Sequence, residues 1–382
     1  MKRVFMAIVD YLREIDKLLV VLAFCLTGAG LLTLYGCLTY FNSGLRSFGV
    51  QVAAFAVGMA AAVVLSLIDY HTLARLWKFH LPVALFLVLL TFLIGTGREG
   101  ADDRAWLALP GGMTLQPTEF LKLSYILTFA WHIERSKEAG NFNSPVSIGL
   151  LCLHGAAYVL LIHFQGDDGT AIVFFIIFLA MMFAGGLDWK YFAGGGLAAI
   201  PVGVLAWFFI LDDTHRNRIM ALFDPTMNVE TTGWQPLLGR LAIGSGRLFG
   251  RGLFGKHQSV PEVHNDFIFA FFAESFGFVG AILLLSVFVA FLILILRNGY
   301  GARDSLGTVI CVGVFAMYAA QIIINIGMCI SVLPVIGVTL PFFSSGGSSA
   351  LTVWTAIGLV LSVASHRRAS IFEQNSIRIE RD

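Results

Sequence analysis

The segment Pro261-Glu262-Val263-His264-Asn265-Asp266-Phe267-Ile268-Phe269-Ala270 crowds two carboxylates and an imidazole into one stretch, directly before a long apolar run. A carboxylate there has the chemistry of a general base, able to take the proton from a hydroxyl nucleophile. Asp266 at the start of a helix also has the chemistry of a cap or a dipole partner. On a continuous helix Glu274, eight residues on, lies about 80° round from Asp266 and roughly 12 Å deeper. That sets Asp266 at the outer edge of the apolar layer and Glu274 inside it. Glu262 is then the only second carboxylate within reach.

Ahead of Asp266, residues 212–265 carry Arg216, Arg218, Arg240, Arg247, Arg251 and Lys256, with a glycine-rich Ala242-Ile243-Gly244-Ser245-Gly246-Arg247. Glycine lets backbone N–H groups approach an anion closely, and guanidinium forks match phosphate oxygens. The stretch suits a pyrophosphate held at a membrane surface. It equally suits non-specific contact with lipid headgroups. A second polar cluster runs from Leu340-Pro341-Phe342 through Ser344, Ser345, Ser348 and Ser349. Its hydroxyls could meet a sugar or phosphate, or simply cap the helix that follows. Glu119 and Lys122, three apart, share a helix face and can pair. Intramembrane charges mark functional sites, but a buried pair can also be scaffolding.

These residues need elements to hold them, and the composition says which. Of 382 residues, 57% are hydrophobic and 13% charged, and mean hydropathy is +0.81. Soluble domains carry roughly twice that charge. A soluble enzyme, a disordered chain and a nucleic-acid-binding domain are excluded, and a polytopic all-α membrane protein remains. Apolar runs predict ten spans, near 18–40, 47–68, 79–97, 117–133, 146–164, 170–187, 190–211, 266–296, 305–330 and 348–365. Residues 1–17 read as a short helix on the membrane surface, 212–265 as one large outer loop and 366–382 as a tail, within a single membrane domain over 1–382. Lys and Arg in the short loops put both termini in the cytoplasm. Three outer segments, 97–119, 212–265 and 331–349, hold the dense polar content. Cys25, Cys37, Cys152, Cys311 and Cys329 stand singly, without metal or disulfide spacing.

Several motifs in order resemble one family. They are Arg104-Ala105-Trp106-Leu107; Gln116-Pro117-Thr118-Glu119-Phe120-Leu121-Lys122; Gln165-Gly166-Asp167-Asp168-Gly169-Thr170; Phe223-Asp224-Pro225; Gly233-Trp234-Gln235; the Asp266 segment; Asn325-Ile326-Gly327-Met328; and Leu340 to Ser349. Together they resemble the SEDS (shape, elongation, division and sporulation) family, the RodA/FtsW/SpoVE-like peptidoglycan glycosyltransferases, over about residues 10–370. The chain departs from the family pattern at Gly166 (usually Pro), Asp168 (usually Leu), Asn265 (usually Thr), Arg247 (often Gly) and Ser275 (usually Glu).

The resemblance implies about ten transmembrane helices in a bacterial plasma membrane, with the large outer loop between spans seven and eight. It implies polymerisation of glycan strands from lipid II beside a class B penicillin-binding protein, and it makes Asp266 the essential acid. An acceptor hydroxyl would attack the donor sugar with inversion, and Arg216, Arg218 and Arg240, with Lys122 and Arg104 next, would steady the leaving pyrophosphate. Trp106, Gln116, Glu119, Asp167, Gln235, Ser245, Glu262, His264, Ser344, Ser345 and Ser348 complete the substrate-contacting set by the same resemblance. A divalent cation, magnesium or manganese, could share the charge, and no His/Asp/Glu cluster has ligand spacing that decides it. A lipid II flippase, or a scaffold for the crosslinking enzyme, is the competing class. A flippase needs polar residues through the full membrane depth, whereas here they gather at one face.

Overall fold

The structure is a computed structural model. It describes residues 15–41, 44–97, 104–109, 113–209, 211–223 and 233–379. The surface helix expected over 1–17 and the Asp224-Pro225 pair lie essentially outside these residues.

The chain is helical almost throughout. In order come α1 (Lys17–Tyr40), α2 (Arg46–Ser66), α3 (Tyr70–Arg75), α4 (Trp77–Ile94), a hairpin of β1 (Leu107–Leu109) and β2 (Met113–Leu115), α5 (Pro117–Glu138), α6 (Pro145–Phe164), α7 (Asp168–Gly185), α8 (Trp189–Phe209), α9 (Asp213–Phe223), α10 (Trp234–Ser245), α11 (Ile268–Tyr300), α12 (Ser305–Cys329) and α13 (Gly347–Ile379). Short polar residues start several of them. Asp16, Ser144, Asp167 and Asp304 each accept a backbone N–H of the first turn, as N-caps do. The antiparallel pair, with Leu107 opposite Leu115, is an addition to the all-α expectation and leads directly into α5 at Pro117.

Nine of the described helices are long and apolar enough to cross a membrane. The tenth expected span is α5, which is long enough but carries Glu119, Lys122 and a charged C-terminal turn. It sits at the centre of the bundle with most of its length buried, so its polar groups face protein and not lipid. The opposite case is α8, which has no buried residue.

Between helices in lipid, close backbone approach replaces the hydrophobic drive. The most extensive helix contact is α2 against α13. A Cβ on Gly358 would lie 2.6 Å from the Cα of Ala62, so the crossing needs glycine there.

The eighth span differs most from its expectation. As one helix, α11 would be roughly 50 Å long, but Gly277 breaks it with φ 68° and ψ −171°. Only glycine takes that backbone without strain. The outer-loop residues 247–252 satisfy the groups freed on both sides. Phe278 N donates to Arg247 O at 2.8 Å and Val279 N to Leu248 O at 3.0 Å, while Arg251 N donates to Glu274 O at 2.9 Å and Gly252 N to Ser275 O at 3.0 Å. The chain between α12 and α13 is also irregular, and it is buried from Val338 to Ser344, the condition for non-helical backbone at membrane depth.

Candidate active site

Two irregular segments meet around Asp266. The first is the turn over 261–267, with Glu262 left-handed at φ 54°. Its carbonyl accepts from Asn265 N at 3.0 Å, and its Oε2 from Asn265 Nδ2 at 2.7 Å. The second is the 340–346 segment. Ser345 N donates to His264 O at 2.9 Å and Ser344 Oγ to Asn265 O at 2.6 Å. Gln51 of α2 ties the second segment down, with Nε2 donating to Ser344 O at 3.1 Å and Oε1 accepting from Gly346 N at 2.9 Å. Asn325 Nδ2 donates to the carbonyls of Asp266 at 2.9 Å and Val338 at 2.8 Å. Two distant stretches, the 340–346 segment and α12, thus fix the main chain of 264–266, and Gln51 braces the first of them.

Asp266 is 5% exposed. The helix begins at Ile268 with Phe267 as its N-cap and no side-chain capping bond. The cap position therefore falls one residue beyond Asp266, which does not open the span as its sequence suggested.

Beside this turn lies a polar cavity of about 430 Å³, lined among others by Arg46, Gln51, Trp106, Glu262, His264 and Ser345. Trp106, Glu262, His264 and Ser345 were legible as candidates. Arg46, Ser47, Gln51 and Thr114 were not. The signal for Arg46 was its place in a short outer loop, against the inward bias of Lys and Arg.

The other candidates stand around the cavity or away from it. Gln116 links two elements, its N donating to Ser348 Oγ at 2.9 Å and its Nε2 donating to Asp167 Oδ2 at 2.9 Å. Asp167 caps α7. Lys122 Nζ and Glu119 Oε1 are 2.8 Å apart with both side chains almost wholly buried. Arg104, Arg240 and Trp234 are exposed, and Gln235 and Arg218 half-buried. Arg216 is occupied elsewhere: Nε and Nη2 donate to the carbonyls of Trp207 and Phe208 at 2.9 and 3.2 Å, holding the end of α8.

Two expectations need correcting. The glycine-rich 242–247 stretch is not an open anion loop. Residues 234–245 are helical, and the N–H groups of Gly246 and Arg247 close onto Ile243 and Gly244, so these amides are already spent. Nor does Glu274 sit deep in the apolar layer. It is 1% exposed, but the folded outer loop covers it. Ser245 Oγ donates to its Oε1 at 2.7 Å, Gln258 N reaches both oxygens at 3.1 Å, and His257 and Arg251 stand at 3.2 and 3.7 Å. Ser245 and Glu274 therefore anchor the loop. Among the described residues no group of three His, Cys, Asp or Glu is placed to hold a metal ion.

The fold and this site define a membrane protein with its polar chemistry gathered at one face. The sequence profile of the family described as cell cycle protein, that of FtsW, RodA and SpoVE, matches residues 16–369. The chain belongs to that family. It is 30% identical to the probable peptidoglycan glycosyltransferase FtsW of Trichlorobacter lovleyi, over 93% of this chain and 94% of that protein. It is 31% identical to stage V sporulation protein E of Bacillus subtilis, over 92% and 98%. Peptidoglycan glycosyltransferase MrdB of Escherichia coli is 30% identical over 88% and 91%. Among solved structures, a chain of a peptidoglycan synthase complex that coordinates polymerization and crosslinking superposes with a TM-score of 0.78 at 26% identity, covering 92% of this chain and 98% of that one. The rod shape determining protein RodA of Thermus thermophilus gives 0.67 at 24% identity over 92% and 97%.

Proposed function

We propose that this chain polymerises the glycan strands of peptidoglycan from lipid II, with Asp266 as general base. The observation that carries the reading is the immobilised main chain of 264–266, in which His264 and Asn265 line a polar cavity and Asp266 is buried directly behind them, in a family whose curated relatives are named peptidoglycan glycosyltransferases.

An acceptor sugar hydroxyl is a poor nucleophile at neutral pH. A positioned carboxylate that takes its proton helps by typically 10²–10⁴-fold. Attack on the anomeric carbon of the donor from the face opposite the lipid pyrophosphate inverts the linkage and expels undecaprenyl pyrophosphate. Arg46 on the cavity, and Arg218 and Arg240 from the loop, are the cations that would meet its charge. A magnesium or manganese ion would share that charge with these side chains.

The lipid tail would remain in the bilayer while the sugars enter from the outer face. That geometry goes with a bacterial plasma membrane and both termini in the cytoplasm. A reporter active only outside the cytoplasm, fused within 226–260, should work, and one fused after Arg303 should not; the reverse result sinks the orientation. A class B penicillin-binding protein is the partner, in keeping with the likeness of this chain to one chain of a peptidoglycan synthase complex that coordinates polymerization and crosslinking.

The test is direct. Purified protein, with and without such a partner, is incubated with labelled lipid II and scored for glycan polymer. Polymer from wild type that disappears in Asp266→Asn supports the reading. Lipid II movement across vesicles without polymer would replace it with transport.

A further inference from the structure

Outside the cavity, a network of two imidazoles and two carboxylates joins α6, α7 and α9. His215 Nδ1 lies 2.6 Å from Asp212 Oδ1, and its Nε2 lies 2.9 Å from Asp168 Oδ2. The other oxygen of Asp168 takes His163 Nδ1 at 2.5 Å. Asp212 Oδ1 also accepts His215 N at 2.8 Å.

Ionised carboxylates only accept hydrogen bonds, and a neutral imidazole has one donor nitrogen. A ring flanked by carboxylate oxygens at both nitrogens is satisfied only as the imidazolium. As neutral histidine it would turn a lone pair toward one of the two anions. We propose that His215 is a positioning residue: as an imidazolium between Asp212 and Asp168 it clasps α9 to the α6–α7 corner, and the clasp loosens as pH rises.

The surroundings bear this out. Partial burial pulls the His215 pKa down, but the hydrogen bonds and charges of Asp212 and Asp168 outweigh it and leave the group above its ordinary 6.5. The clasp is therefore at full strength below about 6.5, the free-histidine value, and is lost as pH climbs through the raised value. The charged groups facing the ring are Asp212 on its own segment and Asp168 from α7, with His163 of α6 behind Asp168. Asp213 pairs with Arg216 at 3.6 Å on the far side. From α5, the neutral Gln116 holds Asp167.

The clasp matters because little else fixes this corner. Helix α8 has no buried residue, and its end is held by Arg216 of α9. Docking α9 therefore sets where α8 ends and where Arg218 stands. The consequence for turnover rests on the polymerase reading, whereas the clasp itself does not.

The experiment is hydrogen–deuterium exchange of the full-length protein in nanodiscs at pH 6 and pH 8.5, corrected for intrinsic exchange, on wild type, His215→Gln and Asp168→Asn. Wild-type amides of 213–223 should lose protection by roughly 3- to 10-fold at the higher pH, the range of two part-exposed ion pairs. Both variants should show low protection at both pH values, with the transmembrane helices unchanged. Equal wild-type protection at the two pH values, or a variant with the wild-type pH dependence, overturns the proposal. Polymer synthesis measured alongside should share the alkaline fall in wild type and lose it in His215→Gln. Exchange that follows pH in a protein making no polymer leaves the clasp standing and removes the polymerase reading.

Discussion

Asn325 holds Asp266 by its main chain: the side-chain amide donates to the Asp266 carbonyl at 2.9 Å and to the Val338 carbonyl at 2.8 Å from a fully buried position. One side chain on α12 thereby couples the turn that bears the proposed base to the irregular segment that walls it. Cys329, one turn further along α12, adds a weaker contact to the same carbonyl at 3.6 Å.

Asn325→Leu should cost heavily. It takes the amide donor from two buried carbonyls, leaving only the weak Cys329 contact to that of Asp266, and an unmet buried carbonyl costs about 1–3 kcal/mol. We expect a lower unfolding temperature in detergent and loss of polymer synthesis. Asn325→Gln, which keeps the donor on a longer stem, should recover part of both. Full stability in Asn325→Leu would show that the turn is held by other means.

Asp266→Asn keeps the size of the side chain but cannot accept the proton. Polymer synthesis should fall by roughly 10²-fold or more, with the thermal transition and partner binding kept. Glu262→Gln, exposed on the cavity rim, should be milder. Near-normal synthesis by a well-folded Asp266→Asn protein would place the base elsewhere.

Lys122→Ala should strand Glu119 in a nearly dry environment. Breaking such a buried pair costs about 3–5 kcal/mol. Folded yield should drop, and Glu119→Gln combined with Lys122→Met should restore it. Unchanged yield and thermal stability in the single variant would mean that the pair is dispensable.

Glu274→Ala should release the loop it anchors. Its oxygens serve Ser245 and Gln258 and face His257 and Arg251, and charge-assisted hydrogen bonds contribute about 1.5–3 kcal/mol each. Protease cleavage within 246–258 should speed up several-fold before the rest of the chain is touched. A loop as resistant as wild type would refute the anchor.

The spans were legible because each is local, and an apolar run declares a helix. The turn over 261–267 was not, since the apolar run after Asp266 made that residue look like the opening of the span. The walls of the cavity were not legible, because their bonds join residues far apart in sequence: Gln51 to Ser344, and Gln116 to Ser348. A lone glutamine in an apolar helix gives no sign of which carbonyl it will meet. Glu274 was misplaced for a different reason. Periodicity assumes an unbroken helix, and Gly277 looks like any other transmembrane glycine until its φ is known. The glycine-rich stretch misled likewise, since packing made it the end of a helix.

The break at Gly277 has a mechanical consequence. Bilayers differ in thickness, and a long span adapts by tilting. In a continuous α11 such a tilt would lever the residues at its outer end sideways. Here the loop at 247–252 is bonded on both sides of the break, to Phe278 and Val279 as well as to Glu274 and Ser275, so the roughly 35 Å of helix beyond it, at 1.5 Å per residue, pulls on the loop when it leans. The loop splints the break, and a change in the thickness of the surrounding lipid is passed to the outer loop as well as to the turn bearing Asp266.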